Sequence, residues 1–259
     1  VSYGGGTKNG PKEIIKASHQ VELYDEELKC EPFKKIGIKT LKPFKISKKI
    51  NKAINQIAEI NQKILDNKLF PITLGGEHSI TPGCIKPFVK KYKKLTLLHF
   101  DAHADLRESY AGEKYSHASA IKRCIDHKNV SVVSFGIRNI SAEEIPILKM
   151  NKKRINIYWA KDKKKWDLNK FKKQIKNKDV YITFDVDGLD SSIMPATGTP
   201  EPGGIFWDEA LEIIKIASKN SKIVGADVNE LAPIKGFNSY NFLVAKLVYK
   251  ILSYKFLLK

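Results

Sequence analysis

A chain of 259 residues, 42% of them hydrophobic, is long enough to bury one large α/β core or two small ones. Its net charge of +18 is carried almost wholly by lysines spread along the chain, with arginine only at Arg107, Arg123, Arg138 and Arg154, so no nucleic-acid partner is expected. No apolar run is long enough to cross a bilayer, and Val1 to Gly6 lacks the charged and apolar regions of a signal peptide, so a cytoplasmic protein with no membrane partner is expected.

Residues 3–13 form a glycine-rich loop leading into a helix that starts near Pro11. No strand precedes the loop and no Gly-Lys-Ser/Thr follows it, so it is a poor phosphate cradle; it reads as the continuation of a strand expected before Val1. Ile46, Ile50, Ile54, Ile57, Ile64 and Leu65 recur at three- and four-residue steps and predict an amphipathic helix over 46–66 that covers a sheet. A strand over 70–74, a sharp turn at 75–79 and a helix over 81–92 follow. Further strands are predicted at 95–100, 130–135, 155–159, 180–184 and 222–226, with a short helix before 155 and longer ones over 207–219 and 239–254. Strands alternating with helices predict a mostly parallel sheet covered on both faces, in one domain spanning 1–259. Cys30, Cys84 and Cys124 are odd in number and outside any CxxC spacing, so free thiols are expected.

The polar motifs sit where such a sheet places its site, outside the carboxyl ends of the strands. Gly75-Gly76-Glu77-His78, Asp101-Ala102-His103-Ala104-Asp105, Asp185-Val186-Asp187 and Asp227-Val228-Asn229-Glu230 each end a strand. In an extended chain Asp101, His103 and Asp105 would project from one face, and two carboxylates so placed repel unless a cation lies between them. His78, Asp101, His103, Asp105, Asp185 and Asp187 supply two imidazoles and four carboxylates, a set too oxygen-rich for structural zinc and suited to a pair of ions such as Mn2+. Water shared by two such ions loses a proton near neutral pH, so hydrolysis is the expected reaction class.

Leu74-Gly75-Gly76-Glu77-His78-Ser79, His99 to Asp105, Tyr115-Ser116-His117-Ala118, Thr183 to Asp190 and Thr197 to Gly204 together resemble the ureohydrolase family of arginases and agmatinases, over about residues 2–245. The resemblance implies a three-layer α/β/α fold and two Mn2+ per chain. It implies one ion held by His78, Asp101, Asp105 and Asp185 and the other by Asp101, His103, Asp185 and Asp187, with Asp101 and Asp185 bridging. It further implies hydrolysis of a small guanidino substrate to urea and an amine, with His117, Glu230 and Asp105 as catalytic residues: Glu230 orients the guanidinium and His117 moves a proton to the leaving amine. His99 is expected to support the site rather than to bind metal, Asp227 to orient it, and His19 and His127 to have no part in it. Glu77 and Ser191 stand where the family often has Asp and Pro. A homo-oligomer, trimer or hexamer, is implied as well.

The loop Leu106 to Lys114 resembles the agmatinase branch, which makes agmatine the first choice, N1-aminopropylagmatine a second, and guanidinobutyrate a third should Arg107 face inward. Arg107 is expected to point away from the pocket, paired with Glu108 or Glu113. Two readings from other classes are a one-metal deacetylase on a related fold and a non-catalytic basic protein that binds polyanions.

Overall fold

The computed structural model of the chain describes residues 3–258. Six strands form one sheet: β1 (Ile72–Leu74), β2 (Leu95–Phe100), β3 (Val130–Phe135), β4 (Ile155–Tyr158), β5 (Asp179–Asp185) and β6 (Lys222–Asn229). Their spatial order is β1-β6-β5-β2-β3-β4, and every pairing is parallel. The helices are α1 (Gly10–Ser18), α2 (Pro32–Ile36), α3 (Ile50–Asp66), α4 (Thr81–Lys91), α5 (Ala120–Ile125), α6 (Glu144–Met150), α7 (Leu168–Ile175), α8 (Trp207–Asn220) and α9 (Ser239–Leu257). No helix among the described residues is long and apolar enough to cross a membrane. The strand expected before Val1 lies outside the described residues.

Every residue of β2 is buried, as expected of an apolar run covered on both faces. Alternate residues feed two cores. Leu98 and Phe100 pack with Val133, Phe135, Ile182 and Phe184 beneath α1, α7, α8 and α9, whereas Leu95 and Leu97 pack with Val130, Val132 and Tyr181 beneath α3, α4 and α5. The result is a three-layer α/β/α fold.

The structure departs from the sequence expectation at several points. α3 begins at Ile50 rather than 46, because the Ser47 hydroxyl accepts the Lys49 N–H at 3.1 Å and offers the backbone a turn in place of the first helical bonds. β6 runs to Asn229, beyond the expected 226, because β1 and β5 pair with it on both sides and continue the ladder through Asp227 and Val228. Helices α2, α5 and α7 were not expected; α7 has only two turns, started by Asp167, whose carboxylate accepts the Lys170 N–H at 2.9 Å.

The topology positions the site. From β2 the chain proceeds outward through β3 and β4, then returns to lay β5 and β6 on β2's other side, so β2 and β5 flank the point where connections diverge. Asp101 follows β2 and Asp185 ends β5. The two loops approach closely: a Cβ on Gly188 would stand 2.7 Å from the Asp101 nitrogen, so that position excludes a side chain.

Candidate metal centre

At the carboxyl ends of β2 and β5, three carboxylates face one imidazole nitrogen. His78 Nδ1 lies 3.0 Å from Asp101 Oδ2, 3.0 Å from Asp105 Oδ2 and 3.5 Å from Asp185 Oδ2. The other oxygen of Asp101 faces a second imidazole, with His103 Nδ1 3.5 Å from Asp101 Oδ1 and 3.1 Å from Asp187 Oδ2. Asp101 thus stands between two His/Asp groups. His78, Asp101 and Asp185 are almost fully buried, while His103 is partly open to the cavity above.

Turns, not an extended strand, bring these groups together. Asp101 Oδ1 accepts the His103 N–H at 2.6 Å and Asp185 Oδ1 accepts the Asp187 N–H at 2.9 Å, so each Asp-x-His or Asp-x-Asp motif closes on itself through its own first carboxylate. Asp187 Oδ1 in turn accepts the Ala102 N–H at 3.0 Å and ties the two loops. β2 ends at Phe100 as expected and Asp101, His103 and Asp105 meet just past it, but the extended backbone expected there is corrected: Asp105 is left-handed, with φ 52°.

The His78 ring is held from behind. Thr183 Oγ1 donates to Asp227 Oδ1 at 2.7 Å and lies 2.8 Å from His78 Nε2, so the Thr183 oxygen is left to accept from Nε2–H and the lone pair on Nδ1 faces the carboxylates. Asp227 also accepts from Thr81 at 3.1 Å and Asn229 at 2.5 Å, in keeping with an orienting role. His99 is fully buried, 2.9 Å from Asp101 Oδ2 through Nε2 and 3.0 Å from Ser134 Oγ through Nδ1. It stands closer to the centre than expected, since His78, His99 and Asp101 form one of two possible ion-holding triplets among the described residues, the other being Asp101, His103 and Asp187.

The electrostatics favour a cation. Burial would lower the His78 pKa, yet Asp101 and Asp105 outweigh it and raise it well above the ordinary value; against the same burial, Asp101 and Asp187 push His103 to about 12. Burial and repulsion from Asp101 raise Asp105 to about 7, and burial with repulsion from Asp187 and Asp101 raises Asp185 well above a usual carboxylate. His78 Nδ1 has no hydrogen-bond partner among the described residues. With a cation in place of the proton on Nδ1, the imidazole nitrogen and the crowded carboxylates make a donor set that fits hard or borderline divalent ions.

Glu230 and His117 share the cavity. Glu230 Oε1 accepts the His78 N–H at 2.7 Å, its own N–H reaches Gly76 O at 2.8 Å, and its backbone is left-handed, φ 65°. Burial pushes its carboxyl up to about 8. His117 starts a short turn before α5, half-buried, with its ring edge-on to Tyr110 at 5.6 Å; burial lowers its pKa and favours the neutral, proton-accepting imidazole. A cavity of about 240 Å³ joins His78, His103, Asp105, Asp185, Asp187, His117 and Glu230. His19 and His127 do not line it.

The family model described as the arginase family matches residues 1–253. The chain belongs to the arginase family. It is 32% identical over 262 residues to the N(1)-aminopropylagmatine ureohydrolase of Synechocystis, covering 98% of this chain and 84% of that protein. It is 38% identical over 244 residues to the agmatinase of Bacillus anthracis, covering 90% of this chain and 80% of that one. The crystal structure of the agmatine ureohydrolase of Thermoplasma volcanium matches with a TM-score of 0.88 at 30% identity, over 98% of this chain and 85% of that one. This arginase-family chain is therefore a ureohydrolase on the agmatinase branch, and the non-catalytic polyanion-binding alternative falls.

In this arginase-family site Arg107 does not behave as expected. It lines the cavity instead of pointing away, and it pairs with Glu143, with its guanidinium 5.4 Å from the Tyr110 ring. Glu108 is taken by Lys122 at 2.9 Å and Arg123 at 2.8 Å on α5, and Glu113 accepts the Tyr115 N–H at 2.9 Å. Sequence reasoning also missed Thr183, Ser134, Asn139, Glu144 and Glu201. Of these, Thr183 and Glu201 carried a cue: Thr183 stands two residues before Asp185 on the same strand face, and Glu201 lies within the Thr197 to Gly204 motif.

Proposed function

We propose that the chain hydrolyses agmatine to putrescine and urea at a binuclear manganese centre. The reading is carried by Asp101, whose two oxygens face the separate groups around His78 and His103 on the floor of one cavity that also contains Glu230. His78, Asp101, Asp105 and Asp185 would hold one ion and Asp101, His103, Asp185 and Asp187 the other. When bound, the ions supply Lewis-acid activation of water near neutral pH. The chain's own residues do the rest. Glu230 orients the permanently charged guanidinium through a charge-assisted hydrogen bond, and its fixed backbone and the His78 N–H keep the carboxylate in place. Asp105 completes the catalytic set as a carboxylate beside His78. His117, held neutral by burial, would take up the proton released by the attacking water and pass it to the leaving amine nitrogen.

The same geometry serves N1-aminopropylagmatine, the substrate named for the Synechocystis relative, and guanidinobutyrate is the third candidate. The single domain would act in the cytoplasm, in putrescine and polyamine biosynthesis, as a homo-oligomer of three or six chains, with neither nucleic acid nor membrane as a partner. Metal analysis of purified protein with a urea assay on agmatine, aminopropylagmatine, guanidinobutyrate and arginine tests the reading. Two Mn per chain and the order agmatine or aminopropylagmatine, then guanidinobutyrate, then arginine are expected. One Zn per chain, or best activity on arginine, would overturn it.

A further inference from the structure

The inner half of the cavity handles a guanidinium, which every candidate substrate shares, so discrimination must come from the outer half. Three charged side chains line it beyond the metal cluster, Glu230 and His117: Arg107, Glu144 and Glu201. Arg107 is neutralised by Glu143. Glu144 is saturated, since Oε1 accepts the Leu106 N–H at 2.7 Å and Oε2 accepts the Ser141 N–H at 2.7 Å and hydroxyl at 2.8 Å. Glu201 differs: Oε1 accepts from Asn139 Nδ2 at 2.8 Å, and Oε2 has no hydrogen-bond partner among the described residues.

Glu201 is also fixed relative to the metal cluster. Arg138 donates through Nη2 to Glu201 O and to Asp187 O, each at 2.7 Å, and through Nε to Pro202 O at 2.9 Å. One guanidinium fork therefore pins the Glu201 loop to the loop that carries Asp187. On the other side Asn139, which holds the Glu201 carboxylate, is bridged to His103 across a parallel contact. Such a bridge spans about 5 Å, and a four-methylene tail ending in an amine reaches roughly 7 Å beyond the guanidinium carbon, so Asn139 and Glu201, which line the same cavity, lie within reach of a tail rooted at the cluster.

We propose that Glu201 is the specificity-determining residue that receives the terminal ammonium of the substrate, positioned by Arg138 and Asn139. This rests on the guanidino-hydrolase reading above. A carboxylate at the end of the tail would meet like charge here, and a methyl would leave Glu201 unpaired; a polyamine tail would present the same ammonium chemistry.

The test compares wild type with Glu201→Gln on agmatine, guanidinobutyrate and pentylguanidine, which replaces the ammonium by a methyl. The amide keeps the bond from Asn139, and metal content and thermal melting confirm an intact site. We expect KM for agmatine to rise about tenfold with kcat within twofold, pentylguanidine to be unchanged, and guanidinobutyrate to improve, the figure being a charge-assisted hydrogen bond discounted for a half-exposed group. If wild type prefers agmatine and the variant loses nothing, or loses equally on agmatine and pentylguanidine, Glu201 is not the anchor while the agmatinase reading stands. If wild type prefers guanidinobutyrate or pentylguanidine, both fall. Should turnover be absent, calorimetric binding of agmatine to the manganese-loaded protein decides the matter: a tenfold weakening in the variant supports the anchor and equal affinity refutes it.

Discussion

The chain of contacts behind His78 makes Thr183 an informative residue to change. Thr183→Val keeps the volume and deletes one hydroxyl, which takes from Asp227 one of three donors and from His78 Nε2 its acceptor, both in a fully buried setting. Leaving two buried polar groups short costs about 1–3 kcal/mol each, or roughly 2–6 kcal/mol together. For a chain of this size that is a melting-point drop on the order of 5–15 °C. The ring of His78 would also lose the partner that fixes its tautomer, so metal affinity should fall about 10–100-fold. The assay is metal retention and urea release across a buffered Mn2+ series, with Thr183→Ser as the conservative control. Valine should need far more Mn2+ for half-maximal activity but approach wild-type kcat once loaded, and serine should restore affinity. If valine binds metal as wild type does, or serine fails as badly as valine, the hydroxyl does not orient His78.

Three further outcomes follow from the same geometry. Asp101→Asn should abolish activity by losing metal, because an amide cannot neutralise two ions, whereas His117→Ala should keep metal and lose rate; metal loss in the His117 variant would sink that division of roles. Agmatine is a dication approaching a protein of net charge +18, so added salt should leave kcat/KM flat or raise it, and a steep fall would show that the acidic site's own field dominates. Burial pushes Asp25 up, but Lys250 at 2.9 Å and the Leu28 and Glu27 N–H groups outweigh it and hold its pKa below the ordinary carboxylate value. Its contribution is therefore present above about pH 4 and lost as pH falls through the depressed folded value; Asp25→Asn, which leaves the buried Lys250 only the exposed Glu26 carboxylate at 3.3 Å as an ionic partner, should cost up to about 3 kcal/mol at pH 7 by urea denaturation and progressively less in acid.

Much of the fold was legible because the strands are apolar runs closed by polar motifs, and a parallel sheet buried on both faces requires such runs. The misplaced end of β6 has a physical cause. Asp227-Val228-Asn229 looks like loop by composition, but paired neighbours on both sides hold those residues in the ladder. The missed helix α5 then propagated into the site: without Lys122 and Arg123 on a helix beside it, Glu108 looked free to pair with Arg107, and the true partner, Glu143, lies 36 residues away in sequence.

The six cluster residues could be found because Asp and His directly after apolar strands are costly unless they serve a site. Their supports were harder to find, because Ser and Thr are ordinary in strands and register is what pairs them: Ser134 is the partner of His99 across β2 and β3, and Thr183 the partner of Asp227 across β5 and β6. Backbone conformation was not legible even at site residues that were. Asp105 and Glu230 are left-handed non-glycine residues, each costing on the order of 1–3 kcal/mol. That strain is held by the Lys122 N–H on Asp105 O at 2.9 Å and by the Glu230 N–H on Gly76 O at 2.8 Å. Local propensity argues against both conformations, and both turn a carboxylate into the cavity. Of the left-handed non-glycine residues, these two line the cavity, whereas Lys29, Lys68, Ala111 and Asn177 do not.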